Sequence, residues 1–387
     1  MKYNDNFLSL PQNYVFNELK LKIKAKKLKS NSPIIDLGIG DVKLPLFDCV
    51  IREMKKAVEE MGKEDSFRGY PPAEGYDFLR EDISNYYSQM KIDLLKDEIF
   101  ITDGAKGPLG NICELFGRGL KTLFLSPCYP AGAEANLLYG NEVTYLCGCP
   151  EDGFFPHPPF GKSYDLIYIC SPSNPTGSVM TFRQLSAWID YALSVGAIII
   201  FDGAYSAFVS GDFPKSVYCD SRAKRCAIEI NSFSKSLGFT GVRCGYTVIP
   251  KGVGDYNKIY KRWLGCRFNG VNYIAQRGAH AIFTPEGREC VKKRINFYKT
   301  NSEIVKIALK NKNLWYNSTV SSPYIFAKTP HGYTSTEFCS LLLEKIGVVG
   351  TPGVGFGEGG EGYFRLSAFS SRREIIEASD RINGLSI

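Results

Sequence analysis

The sequence predicts an α/β protein with a mainly parallel sheet flanked by helices and a second, smaller α+β domain. Three observations carry that expectation. Between about Asp97 and Pro250 short apolar runs alternate with helical patterns, the texture of buried parallel strands joined by crossover helices. The last third of the chain instead carries long helical patterns broken by two strand-like stretches. With 387 residues, 44% of them hydrophobic, the chain can bury a large core and divide into two domains.

The first element expected is a helix, because Val15, Phe16, Leu19 and Ile23 recur at helical spacing. Lys20, Lys22, Lys24, Lys26, Lys27 and Lys29 fall on and after that pattern and read as its solvated face. Buried strands follow at Thr122 to Leu125, Val143 to Leu146, Leu166 to Cys170, Ala197 to Phe201, Ala227 to Ile230 and Tyr246 to Ile249. Gln184 to Leu193 spaces its apolar residues as a crossover helix does. Helical patterns at Glu286 to Lys310, Ser335 to Ile346 and Arg372 to Ile382, with strands near Tyr324 to Ala327 and Tyr363 to Ser367, define the later domain. The expected division is residues 1–35 as an arm with part of the small domain, 36–275 as the large domain and 276–387 as the small one.

Composition narrows the function classes. A net charge of +7 spread over 47 basic and 40 acidic residues lacks the concentrated basic stripe of a nucleic-acid binder. No stretch reaches the ~18 apolar residues of a membrane span, and the first residues lack a signal-peptide core. Twelve cysteines without a C-x-x-C pair fit reduced thiols and a cytoplasmic location, and three widely separated histidines give a zinc site little to build from. No metal is expected. Gly355 to Gly360 matches G-x-G-x-x-G but precedes a strand and follows a Pro-Gly turn, so it reads as a glycine-rich loop.

In such sheets ligands gather where strands end, which directs attention to the polar residues there. Asn231-Ser232-Phe233-Ser234-Lys235-Ser236 places a lysine among hydroxyls, with Arg243 eight residues on. A lysine attacks an aldehyde only as the neutral amine, and an arginine clamps phosphate bidentately. Taken alone the run also fits a solvated turn. Asp202, ending an apolar run, suits a protonated pyridine nitrogen or equally a helix N-cap, and Tyr205 follows it closely. In Ser171-Pro172-Ser173-Asn174-Pro175-Thr176-Gly177 two prolines hold one asparagine, whose amide suits the phenolate oxygen of the same ring. Thr102 to Pro108 opens a helical segment where Ala105 and Lys106 would offer backbone N–H groups to phosphate. Tyr129 suits ring stacking or core packing, and Arg365 suits a carboxylate or an exposed strand position.

In this order these residues resemble the fold-type-I pyridoxal-phosphate aminotransferases along nearly the whole chain. More narrowly, Leu37 to Asp41, Arg68-Gly69-Tyr70, Ala204-Tyr205-Ser206, Pro214-Lys215-Ser216, Ala227 to Ile230, Phe268-Asn269-Gly270 and Thr351 to Gly357 are similar to the LL-diaminopimelate aminotransferase family. The resemblance implies pyridoxal 5'-phosphate as cofactor, Lys235 as Schiff-base lysine and proton carrier, Asp202 on the ring nitrogen, and Tyr205 with Asn174 on the ring oxygen. Ala105, Lys106, Ser234 and Arg243 would hold the phosphate, with Tyr129 stacked on the ring. Arg365 would take the α-carboxylate, Lys106 the far carboxylate, and Gly40 would let substrate approach the backbone. A homodimer with shared sites is implied, Tyr14, Tyr70 and Asn269 being offered to the neighbouring subunit. The expected reaction is transamination between LL-2,6-diaminopimelate and 2-oxoglutarate, in lysine biosynthesis. One departure stands against it: where the family has a carboxylate three residues after the tyrosine, this chain has Ala73, with Glu74 next. An aminotransferase for another amino acid or a specialised metabolite therefore remains open, as does a pyridoxal-phosphate-binding protein without turnover.

Overall fold

The computed structural model describes residues 3–10, 15–29, 33–318 and 321–386. Its centre is a seven-stranded sheet in the spatial order Ile99–Thr102, Gly245–Val248, Ala227–Ser232, Ile198–Asp202, Leu166–Cys170, Lys121–Ser126, Glu142–Cys147. All strands run parallel except Gly245–Val248, which is antiparallel to both neighbours. Period-two geometry divides the apolar side chains between two cores. Ile99, Ile101, Leu123, Leu125, Ile167, Ile169, Ile199 and Phe201 enter one. Phe100, Phe124, Leu166, Tyr168, Ile200, Ile228 and Ile230 enter the other. Both faces are covered, which is why these strands read as continuous apolar runs.

The crossover helix Phe182–Val195 shows how local sequence sets an element. Thr181 and Gln184 form a capping box, and Gly196 in the left-handed region ends the helix. Leu185, Trp188, Ile189 and Ala192 recur on one face and are buried.

A three-stranded antiparallel sheet of Thr351–Pro352, Tyr363–Ser367 and Tyr324–Lys328 lies beneath the helices Pro285–Asn311, Ser335–Ile346 and Arg372–Asn383. The short strand Ile35–Asp36 pairs in parallel with Val348–Val349, and Ser367 N–H donates to the Leu37 carbonyl at 2.7 Å. Early chain thus threads into the later domain. The two-residue pairings are too short to show a period, and they and the fully buried four-residue strand Ile99–Thr102 are additions to the sequence-based expectation. The helix Val15–Lys29 lays Leu19 against Leu343 and Val349. Its lysine face is not wholly solvated: Lys22 Nζ donates to Ser340 Oγ at 3.0 Å and Lys26 Nζ to the Glu344 carbonyl at 3.0 Å.

Glu229, fully buried in the strand Ala227–Ser232, pins the sheet to its surroundings. Its carboxylate accepts from Tyr87 Oη at 2.5 Å, Asn231 Nδ2 at 2.6 Å, Ser216 Oγ at 2.5 Å and Val217 N–H at 3.0 Å. Burial raises its pKa and these donors oppose the shift. Glu229→Ala orphans four buried donors, and the expected loss is about 3 kcal/mol. A lowered midpoint in urea unfolding checks this, with Glu229→Gln falling between the two.

Candidate active site

Parallel strands bring their carboxyl ends to one edge, and the chemistry collects there. The strand Ile198–Asp202 ends in Asp202, whose Oδ1 accepts from Ala204 N–H at 3.0 Å. Burial pushes its pKa up to about 6, while that N–H and the Cys170 thiol pull it down. The neighbouring strand ends in Ser232, which caps the single turn Phe233–Ser236 by accepting from Ser234 N–H at 3.1 Å. On that turn stands Lys235, half-buried, its Nζ donating to the Gly40 carbonyl. Burial lowers the Lys235 pKa to about 8, against the pull of Asp41 and with help from Arg365 and Arg243. About a tenth of the amine is then neutral at pH 7, far more than an ordinary lysine offers, and attack on an aldehyde requires that form.

At one end of the cleft Arg243 Nη1 donates to Ser234 Oγ at 3.2 Å and to the Thr240 carbonyl at 3.3 Å. Arg243 itself has φ +67°, an unfavourable left-handed conformation for a side-chain-bearing residue. Gly104 makes room for its guanidinium: a Cβ there would lie 2.6 Å from Arg243 Nη2, and its φ of +110° already favours glycine. Ala105 and Lys106 begin the short helix Lys106–Asn111 beside them.

At the other end Arg365, only 2% exposed, comes from the strand Tyr363–Ser367. Its Nη1 donates to Asn174 Oδ1 at 2.5 Å and its Nη2 to the Gly38 carbonyl at 2.5 Å. The exposed-strand alternative for this arginine is thereby excluded. Arg365 Nε–H is buried without a hydrogen-bond partner among the described residues. Asn174 lines the cavity, and with its Oδ1 accepting from Arg365 its Nδ2 is the donor left for a ligand. Tyr205 is buried with its hydroxyl 2.9 Å from that of Tyr324, and burial raises its pKa well above the usual phenol value.

A cavity of about 780 Å³ joins these groups, within the ~300–1,000 Å³ of small-molecule sites. Gly40, Ala105, Lys106, Tyr129, Asn174, Asp202, Tyr205, Ser234, Lys235, Arg243 and Arg365 all line it. Tyr70 does not: it is 89% exposed. Asn269 is exposed as well, yet its segment lies against that of Tyr70, since a Cβ on Gly270 would sit 2.5 Å from the Pro72 carbonyl oxygen. Tyr14 falls outside the described residues. Glu74 turns away to Lys261, 2.9 Å distant, and Ala73 packs against the core. Sequence reasoning missed Tyr324 and Asp41, which also line the cavity. Asp41 stood in a quoted motif without a role, and Tyr324 looks like any strand aromatic. The absence of a side chain at Gly40 serves Tyr324, whose hydroxyl a Cβ there would overlap.

The comparisons with known proteins are decisive on the family. Residues 32–382 match the model of aminotransferase class I and II. The chain belongs to this family. It is 43% identical to an LL-diaminopimelate aminotransferase of Bacteroides fragilis over 98% of either chain. It is 42% identical to one of Lachnospira eligens, covering 99% of this chain and 100% of the other. The L,L-diaminopimelate aminotransferase from Chlamydomonas reinhardtii superposes with a TM-score of 0.94 at 34% identity, over 99% of this chain and 98% of that one. The Thermus thermophilus aspartate aminotransferase single mutant 1, at 20% identity and TM-score 0.89, shares the fold.

This aminotransferase therefore uses pyridoxal 5'-phosphate, and the site fits that group. Gly104 leaves space around Arg243, a buried acid faces the cavity opposite, and a lysine with depressed pKa stands between them. When bound, the ring supplies a sink for the electrons left as an α-proton departs. Rate of cofactor capture by the apo protein should rise with pH through a midpoint of about 8, below which Lys235 is charged and unreactive. Stopped-flow absorbance against pH checks this, and a midpoint near the ordinary lysine value contradicts it.

Proposed function

We propose that this aminotransferase moves an amino group between LL-2,6-diaminopimelate and 2-oxoglutarate, a step of lysine biosynthesis. The observation that carries the reading is the charge on the cavity wall. Among the described residues Lys106, Lys235, Arg243 and Arg365 line the cavity with Asp41 and Asp202, four cations against two acids. With Arg243 on phosphate and Lys235 on the carbonyl carbon, Arg365 and Lys106 remain for the two carboxylates of a diacid. Full-length identity to enzymes named for diaminopimelate supports the amino donor.

In this reading Asp202 holds a proton on the ring nitrogen, and its carboxylate is ionised by that partner. Asn174 Nδ2 and Tyr205 Oη donate to the ring oxygen. Ser234, Arg243 and the N–H groups of Ala105 and Lys106 hold the phosphate, with Tyr129 against the ring face. Lys235 Nζ would take up the substrate α-proton and hand it on to the carbon that had carried the cofactor's aldehyde, so that the amino group stays behind, which its depressed pKa permits near neutrality. Arg365 Nε, otherwise unpaired, receives the α-carboxylate.

The exposed Tyr70 and Asn269 lie together outside their own cavity, which supports a homodimer in which they complete the partner's site. A second reading, a different amino donor, is favoured by one specific observation. Glu74 is paired with Lys261 and Ala73 has no charge, so the segment that would enter the partner's site with Tyr70 carries no unpaired acid for a distal ammonium.

Half-reactions followed by cofactor absorbance separate the two readings. LL-diaminopimelate should convert the bound cofactor faster than other amino acids. If it fails while another donor succeeds, the second reading stands. Lys235→Ala should reduce turnover by at least about 10³-fold. Co-assembling Lys235→Ala with Tyr70→Ala chains should restore roughly a quarter of wild-type activity if sites are shared between subunits, and none if each chain is self-sufficient.

A further inference from the structure

Tyr324 has no role in the function described so far, yet it touches two of its parts. Its hydroxyl meets that of Tyr205 at 2.9 Å, the two rings crossing edge-on at 5.3 Å. The Arg365 guanidinium lies over the Tyr324 ring, 4.4 Å from its centroid. Tyr324 is buried, lines the same cavity, and sits so tightly against Gly40 that no Cβ would fit there.

We propose that Tyr324 is a positioning residue that gives its hydroxyl proton to Tyr205 and thereby leaves the Tyr205 proton for the ring oxygen of the cofactor. The proposal rests on the reading that Tyr205 binds that oxygen. Each phenol carries one proton and accepts through two lone pairs, so a Tyr205 that donated to Tyr324 would have none to give the cofactor. By distance alone either hydroxyl could donate, and the charge over the Tyr324 ring is what selects the direction. A guanidinium over the Tyr324 ring favours negative charge on that phenol, and the more acidic partner of a hydrogen-bonded pair is the donor. Arg365 has a parallel effect on Asn174: it occupies Oδ1, which commits Nδ2 to donation. One buried cation thus orients both donors, Asn174 directly and Tyr205 through Tyr324. Donation in series also strengthens each bond.

Arg365, Asp202, Cys170 and Tyr129 are the titratable groups facing the phenol pair, and Asp41, Arg243 and Arg365 face Lys235 Nζ. Tyr324→Phe changes none of them, and it keeps the ring beneath Arg365 while removing one oxygen. The readout is the pH midpoint of the visible absorbance change of the holoenzyme, which reports the proton held at Lys235 Nζ. Weaker donation from Tyr205 leaves more negative charge beside that proton and holds it more firmly. The midpoint should therefore rise by roughly half to one pH unit. In the same variant kcat should fall roughly three- to tenfold while KM for the amino donor stays within about twofold. A merely structural role would lower Tm or raise KM and leave the midpoint in place.

Tyr205→Phe supplies the frame for interpretation. If Tyr205→Phe raises the midpoint and adding Tyr324→Phe moves it no further, the two act in series as proposed. If Tyr205→Phe raises it but Tyr324→Phe alone does not, the proposal is overturned while the reading of Tyr205 survives. If Tyr205→Phe leaves it unmoved, the underlying reading of Tyr205 falls. Gly40→Ala, which displaces the Tyr324 hydroxyl by contact, gives a second route: the same upward shift supports the proposal, and an unmoved midpoint counts against it.

Discussion

Arg365 is a cation buried without a carboxylate within ion-pair distance among the described residues. Burying such a charge costs several kcal/mol unless neutral acceptors and polarizable surfaces surround it. Here the acceptors are Asn174 Oδ1, the Gly38 carbonyl and Thr351 Oγ1, and the surfaces are the rings of Tyr324 and Phe356. Satisfying one guanidinium therefore enlists a loop of the large sheet, the chain near Gly38 and two segments of the small domain. Its remaining Nε–H and unbalanced charge are what make a carboxylate the natural occupant.

Burial acts on the other ionisable groups of the cleft in the same way. It raises Asp202 to about 6 and lowers Lys235 to about 8, moving both toward neutrality. A lysine displaced in this sense is a better nucleophile and proton carrier, and an acid displaced in this sense is eager for a cationic partner. Both displacements come from burial in one cavity, whose wall joins residues at the strand ends of the large sheet to Tyr324 and Arg365 of the three-stranded sheet.

Much of this was legible in the chain. The strands Leu166–Cys170 and Tyr363–Ser367 appear where their apolar patterns put them, because burial on a pleated sheet enforces the pattern. The residues that gather around the cavity were legible for a related reason. Asp202 ends its strand, and Tyr129, Asn174 and Lys235 follow within a few residues of the ends of theirs, where an apolar run gives way to polar residues. Tyr324 was illegible because its hydroxyl is one polar atom on an otherwise apolar strand, and its partner lies 119 residues away. The fate of Glu74 was equally hidden, since Lys261 reaches it from a helix distant in sequence.

The amino-acid sequence alone settled the α/β class, most of the longer strands, and the aspartate at one strand end together with the lysine and asparagine in the loops just beyond two others. These depend on local periodicity and on residue chemistry, both of which are carried by neighbours in the chain. Only the folded structure decided which phenol meets which, that Arg365 is buried rather than exposed, and that Glu74 pairs with Lys261 instead of facing its own cavity. Those outcomes depend on distances between segments that have no sequence neighbourhood, and packing alone sets them.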